Sequence, residues 1–211
     1  MDLHHFRQEY ARQGLDLPDL DPDPFVQFEK WFSQARDAGI LEPNAMSLAT
    51  TGADGLPAVR TVLLKEFDTS GFVFFTNYDS RKGVQIAENP RASLLFPWLG
   101  LERQVIVTGK VEKTSREESR RYFDSRPYGS RLGAWTSEQS SVVPSREFLN
   151  ERYEALKRRY PENAVPLPEN WGGYRVVPET FEFWQGRPSR LHDRLVFTKV
   201  VPGWKIERLA P

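Results

Sequence analysis

The spacing of hydrophobic positions changes along this chain, and the changes divide it into elements. Residues 1–20 are mostly polar and read as an N-terminal arm running into the acidic, proline-containing stretch DLPDLDPDP. Phe25, Phe28, Phe32 and Ala35 then recur at helical spacing, with Asp21 or Asp23 as the cap, proline in the first turn and Gly39 as the stop.

From residue 45 the spacing shortens to that of strands. AMSLATT (45–51) and AVRTVLLK (58–65), joined by a glycine-containing turn, predict a hairpin. GFVFFT (71–76) and ASLLFPW (92–98) predict further strands, with a short helix near 80–88 between them. Across 103–113, Val105, Val107 and Val111 share one face with Gly109. Ser115 and Glu118 have capping-box spacing and open a helix through Phe123. A second helix fits 145–159, followed by the proline-rich loop PENAVPLPENWGG and strands over 174–183, 194–200 and 203–208. Many short strands with helices inserted between them predict a mainly β, α+β fold, an antiparallel β-barrel with peripheral helices. The 211 residues suit one core, so 21–211 is expected to be a single domain behind the arm.

Composition then excludes several chemistries. There is no cysteine, and the three histidines are His4, His5 and His192, a poor zinc or haem set. No metal is expected, and any redox step must use an organic cofactor. The 29 Lys and Arg balance the 29 Asp and Glu, which argues against a chain built to coat nucleic acid or an anionic membrane. No run approaches the ~18 apolar residues of a membrane span, and the first residues lack the apolar core of a secretory signal. A cytoplasmic location is the expectation.

Four segments concentrate cationic and hydrogen-bonding side chains. In RTVLLK, Arg60 and Lys65 bracket apolar residues, as a buried strand with charged ends also would. Being five apart, they point to opposite faces of a straight strand, so either a bulge intervenes or they serve different phosphates; the second is favoured. In TNYDSRKG, Thr76, Ser80, Arg81 and Lys82 stand where a strand becomes a helix, which suits either a phosphate at the helix N-terminus or a solvated turn. Tyr122 and Arg126 share a face if their helix continues that far, and Ser130 follows in a glycine-containing turn. They make either a second anion site or an ordinary arginine-rich helix end. Finally, FWQGRPSRLHDR surrounds His192 with three arginines and an aspartate, while Gln139, Ser140 and Ser141 offer a polar rim or a plain polar loop. Two anion sites without metal ligands suggest a phosphorylated cofactor and a phosphorylated substrate.

The segments RTVLLK, TNYDSRKG, NPRASLLFPW, ERQVIVTGKVE, YFDSRP, GAWTSEQSS, VPLPENWGG, EFWQGRPSRLHDR and IERLAP resemble, in order and spacing, the pyridoxine/pyridoxamine 5′-phosphate oxidase family. The resemblance implies a split β-barrel homodimer with flavin mononucleotide (FMN) at the subunit interface. It implies a flavin site of Arg60, Thr61, Val62, Leu63, Leu64, Lys65, Phe75, Thr76, Arg81, Lys82, Gln104, Gln139, Ser140, Trp184 and Arg194. It places the substrate phosphate at Lys65, Tyr122, Arg126 and Ser130, and the substrate ring at Arg190, Leu191 and His192, with Arg190 and His192 as the catalytic pair. Arg7, Gln8, Glu9 and Tyr10 would close over the substrate as a lid. The implied reaction passes hydride from C4′ of pyridoxamine or pyridoxine 5′-phosphate to flavin N5 and then to dioxygen, yielding pyridoxal 5′-phosphate and hydrogen peroxide. The alternatives are a related split-barrel oxidase acting on another substrate, such as a phenazine precursor, and a flavin-binding protein without catalysis. Nucleic-acid binding by the arginine-rich helices ranks below these, because Glu117, Glu118, Glu147, Glu151 and Glu154 are interleaved with the arginines.

Overall fold

A computed structural model describes residues 1–4, 9–10 and 14–211. The first helix, α1 (Pro24–Asp37), begins as the sequence predicts: Asp23 accepts a hydrogen bond from the Phe25 N–H, and Pro24 fills the first turn. Its buried face, Phe28, Trp31 and Ala35, packs on the aromatic core. Phe28 sits edge-on to Phe67, Phe72 and Phe96 with centroids 4.9–5.0 Å apart.

Nine strands form one antiparallel sheet: β1 (Ala45–Thr51), β2 (Pro57–Leu63), β3 (Glu66–Asp68), β4 (Gly71–Asn77), β5 (Arg91–Trp98), β6 (Arg103–Lys113), β7 (Trp171–Gln185), β8 (Asp193–Lys199) and β9 (Trp204–Leu209). Along the main path the order is β2-β1-β5-β6-β7-β4-β3. The long β7 is where the sheet divides. Its first part, Trp171–Val176, pairs with β4, and its second, Thr180–Gln185, pairs with β8, which carries β9. A register shift in β6 between Thr108 and Gly109 lies opposite this transition. Gly109 is required there, because a Cβ would collide with the Val177 carbonyl. The result is the antiparallel barrel with peripheral helices that the strand pattern predicts, in the split form that the resemblance implies.

Alternation decides which side is core. Val105, Val107, Phe181, Phe183, Leu195 and Phe197 are buried inside, while the intervening Gln104, Ile106, Glu182, Trp184, Arg194 and Val196 are half-buried on the other face. No helix among the described residues is long and apolar enough to cross a membrane.

Two expectations change. The helix α3 (Arg116–Ser125) has the predicted capping box, with Ser115 N–H to Glu118 Oε2 at 2.8 Å and Glu118 N–H to Ser115 Oγ at 3.0 Å. It ends before Arg126, whose backbone is extended (φ −73°, ψ 148°) because Pro127 follows and disfavours helix in the preceding residue. The chain then forms another helix, α4 (Tyr128–Thr136), where the sequence suggested a turn around Ser130. The remaining helices are α2 (Arg81–Glu88) and α5 (Arg146–Arg159).

Candidate functional site

A cavity of about 820 Å³ opens between β2, the end of β4, the start of α2 and the α3–α4 junction, a size within the usual range for small-molecule sites. Its lining includes Arg60, Lys65, Arg81, Lys82 and Arg126, and no Asp or Glu. None of these five cations forms a salt bridge among the described residues. In a chain of zero formal net charge, five unneutralised cations in one concavity mark an anion site. A neighbouring cavity of about 920 Å³ is larger, but Asp54, Asp79, Glu88 and Glu138 line it and its Arg152 is held by Glu138 at 2.8 Å. Charge therefore favours the smaller one.

Each wall has a local cause. β2 ends the main strand path, so one row of its peptide groups has no neighbouring strand and faces the cavity. The strand stops at Leu63, and Lys65 donates its N–H to the Val73 carbonyl at 2.9 Å as the chain turns toward β4. This break, rather than a bulge, brings Arg60 and Lys65 to the same cavity. Arg60 is anchored from Nη1 to the Leu48 carbonyl (3.1 Å) and Thr50 Oγ1 (2.6 Å). Burial, followed by the neighbouring charge of Arg81, lowers its pKa.

At the start of α2, Ser80 caps the helix and accepts from the Gly83 N–H. Gly83 lets the helix approach closely, since a Cβ would strike the Tyr78 carbonyl. Arg81 and Lys82 occupy the first turn, where the helix dipole disfavours cations and favours an anion. The Lys82 ammonium is buried and donates to two hydroxyls, Thr76 Oγ1 at 3.1 Å and Ser80 Oγ at 3.2 Å. Burial, with a smaller contribution from Arg60, depresses its pKa to about 8. Thr76 in turn donates to Gln139 Oε1 at 3.0 Å, and the Arg81 N–H donates to Ser140 Oγ at 3.2 Å. These bonds bring the loop after α4 to the cavity rim.

The other wall is aromatic and cationic. Phe75, Tyr122 and Trp171 lie nearly parallel, with 4.0 Å between the Phe75 and Tyr122 centroids. Arg126 stacks on Trp171 at 4.7 Å, its Nη1 buried without a hydrogen-bond partner among the described residues. Burial lowers the pKa of Arg126, with Tyr122 opposing the shift. Ser130, on the first turn of α4, completes this end.

The cavity thus brings together the predicted residues Arg60, Thr61, Val62, Leu63, Lys65, Phe75, Thr76, Arg81, Lys82, Tyr122, Arg126, Ser130, Gln139 and Ser140. Leu64 is different: its side chain is in the core and its peptide groups bond to Asn44. Sequence reasoning missed Trp171, whose WGG segment had been read as loop but opens β7.

A second predicted group lies elsewhere on the chain. Gln104, Trp184 and Arg194 stand side by side on β6, β7 and β8, on the half-buried outer face. Arg194 is held by Glu182 through a two-point contact, Nε to Oε1 at 2.7 Å and Nη2 to Oε2 at 3.1 Å, and this bonding raises its pKa. The His192 ring packs on Trp184 at 4.6 Å, and Tyr10 meets both edge-on at 5.8 and 5.7 Å. His192 Nδ1 accepts the Arg187 N–H at 3.1 Å, which leaves Nε2 as the free ring nitrogen. Leu191 is exposed, and Arg190 is exposed beside Ser189, both of the latter in the left-handed backbone region (φ 61° and 56°). Glu9 is exposed, while Arg7 and Gln8 lie outside the described residues. Within a single chain neither this group nor Leu64 lines the 820 Å³ cavity. Among the described residues no three His, Asp or Glu side chains cluster as metal ligands.

Comparison with known proteins gives the family. Residues 32–159 match the family described as "Pyridoxamine 5'-phosphate oxidase", and 171–211 match "Pyridoxine 5'-phosphate oxidase C-terminal dimerisation region". The chain is 58% identical over 212 residues to a pyridoxine/pyridoxamine 5′-phosphate oxidase of Rippkaea orientalis (strain PCC 8801 / RF-1), covering all of both chains. A protein of the same name from Burkholderia orbicola (strain MC0-3) is also 58% identical, over 99% of each chain. Among solved structures, PhzG from Burkholderia lata 383, in complex with tetrahydrophenazine-1-carboxylic acid, aligns with a TM-score of 0.90 at 28% identity, over 97% of this chain and 100% of that one. An FMN binding protein of Nostoc punctiforme PCC 73102 related to pyridoxamine 5′-phosphate oxidase shares the fold, with a TM-score of 0.71 at 19% identity over 87% of this chain and 97% of that one.

Proposed function

The chain belongs to the pyridoxamine 5′-phosphate oxidase family, and from that premise we propose that it holds FMN and oxidises pyridoxamine or pyridoxine 5′-phosphate to pyridoxal 5′-phosphate, with dioxygen as acceptor and hydrogen peroxide as co-product. The observation that carries this reading is the cavity with five cations and no carboxylate, whose cations we assign to two anion grips.

The residues present fit a flavin phosphate and a substrate phosphate. Arg60, Arg81 and the buried Lys82 surround the start of α2, where the helix dipole adds to their charge. This grip takes the FMN phosphate. At the other end Lys65, Tyr122, Arg126 and Ser130 hold the substrate phosphate, and the partnerless Nη1 of Arg126 supplies a donor there.

FMN, when bound, would supply the acceptor for the hydride that leaves the substrate C4′ and carries its two electrons. The chain supplies position. Fixing the phosphate sets the distance of C4′ from the redox ring, and such alignment is worth roughly 7 to 11 kcal/mol in favourable systems. Arg190 and the free Nε2 of His192 orient the substrate ring and hold or move the proton at its C4′ substituent. Tyr10 rests on Trp184 and His192, and from there it would close over the substrate.

The two residue groups are united by a homodimer. The outer sheet face carries Leu95, Ile106 and Val196 in one cross-strand row with Ser47 and Glu182. Pairing two such faces buries that apolar row and brings Gln104, Trp184, Arg194, Arg190, Leu191 and His192 of one protomer to the cavity of the other. FMN then lies at the subunit interface. The alternative, a related oxidase acting on a different ring system, draws on the resemblance to PhzG. Turnover decides between them: peroxide release and aldehyde formation with pyridoxamine 5′-phosphate support the proposal, and turnover of tetrahydrophenazine-1-carboxylic acid alone supports the alternative.

A further inference from the structure

We infer that Trp171 is a positioning residue that holds the Arg126 guanidinium ready for phosphate, and that Arg116 fixes Trp171 in turn. The inference deepens the reading above, because it concerns how the substrate-phosphate grip is built.

Arg126 has little else to define its direction. It lies just beyond the end of α3, in extended backbone, and forms no ion pair among the described residues. What it does have is an aromatic surface. The Trp171 ring lies 4.7 Å from its guanidinium carbon, and the Phe123 ring 5.8 Å away. A flat cation on a flat ring keeps its edge N–H groups free, so stacking orients Arg126 without occupying its donors. The indole plane is itself set. Tyr122 lies parallel to it within 7°, Phe75 within 12°, and Phe123 abuts it at 68°.

Arg116 accounts for the position of that ring. It stands at the first residue of α3, where a cation opposes the helix dipole and contributes nothing to helix stability. Its guanidinium instead donates to three carbonyls: Leu167 at 3.1 Å, Pro168 at 2.8 Å and Trp171 at 2.9 Å. The fork thereby ties the proline-rich loop to the entry of β7. The helix that ends just before Arg126 thus begins with the side chain that secures the ring beneath Arg126.

Two ring variants and one fork variant test this. Trp171→Phe keeps a flat face, Trp171→Leu removes it, and Arg116→Gln removes the fork while keeping α3. Steady-state kinetics with pyridoxamine 5′-phosphate and calorimetric titration with inorganic phosphate are measured on the flavin-loaded protein, with flavin content and Tm for each. Trp171→Leu is expected to raise KM about tenfold and to weaken phosphate by a similar factor, with kcat changed less than about twofold. Trp171→Phe should stay within about threefold on both, and Arg116→Gln should move in the same direction as Trp171→Leu. Equal KM and equal phosphate affinity for the Leu and Phe variants would overturn the inference, as would an Arg116→Gln variant with unaltered phosphate binding. A purely structural role would lower Tm and kcat together without this split, which also counts against it. If the wild type oxidises no B6 phosphate, the functional reading fails, and the phosphate titrations alone decide the role of Trp171.

Discussion

The Lys82 ammonium and the Arg60 guanidinium share one wall of the cavity, and the charge of Arg60 adds to burial in holding Lys82 near pKa 8. Two cations forced together without a carboxylate are costly until an anion arrives. A phosphate dianion between them would reverse the sign of the interaction and favour the charged form of Lys82.

FMN affinity should therefore fall as pH rises through about 8, where free Lys82 loses its proton. Below that pH the ammonium is present before binding and affinity is at its plateau, provided the flavin phosphate is still doubly ionised. Flavin fluorescence quenching on the apoprotein between pH 7 and 10 measures this. Lys82→Met should weaken FMN by about 10- to 100-fold at pH 7 and flatten the decline between pH 8 and 9.

Arg126→Ala should leave flavin content near normal while raising KM for pyridoxamine 5′-phosphate about 10- to 100-fold, the worth of a lost charge-assisted contact. Absorbance ratios of the purified variant and steady-state kinetics together read both quantities. The reverse pattern, loss of flavin with unchanged KM, would show that the two phosphate grips have been assigned the wrong way round.

His192→Asn keeps a hydrogen-bonding side chain near Arg187 N–H but removes the imidazole that could pass a proton. The expected result is a fall in kcat of at least about a hundredfold, as for loss of a general acid or base, with smaller change in KM. A normal rate would remove His192 from the chemistry and leave Arg190 as the residue facing C4′.

Ile106→Glu places a charge in the middle of the outer sheet row formed with Leu95, Glu182 and Val196. Light scattering should report a monomer, with near-wild-type far-ultraviolet circular dichroism and a loss of bound flavin. A folded monomer that retained FMN at full occupancy would contradict an interface location for the cofactor.

How much of this was legible in the sequence depended on distance along the chain. The capping box at Ser115 and Glu118, the alternation of Val105 and Val107, and the strand-to-helix junction at Ser80, Arg81 and Lys82 are local patterns, and the structure places them accordingly. Pairing across strands is not local. That Gln104, Trp184 and Arg194 stand in one row follows from the registers of three strands, and only the resemblance had linked them. Arg60 and Lys65 were expected on opposite faces because the strand was assumed to continue; its end at Leu63 removes the conflict. The α4 helix was hidden by Gly129, Gly133 and Pro127, residues that weaken helical propensity but are tolerated here. Trp171 was passed over because a tryptophan between proline and two glycines reads as loop, and its neighbours Arg116 and Arg126 are remote in sequence.

The most direct test is to load the protein with FMN, exclude air and add pyridoxamine 5′-phosphate while recording the flavin spectrum. The yellow absorbance should bleach with formation of one pyridoxal 5′-phosphate per flavin and return on admission of air with release of peroxide. A protein that takes up no FMN, or one whose flavin stays oxidised in the presence of both B6 phosphates, would contradict the account.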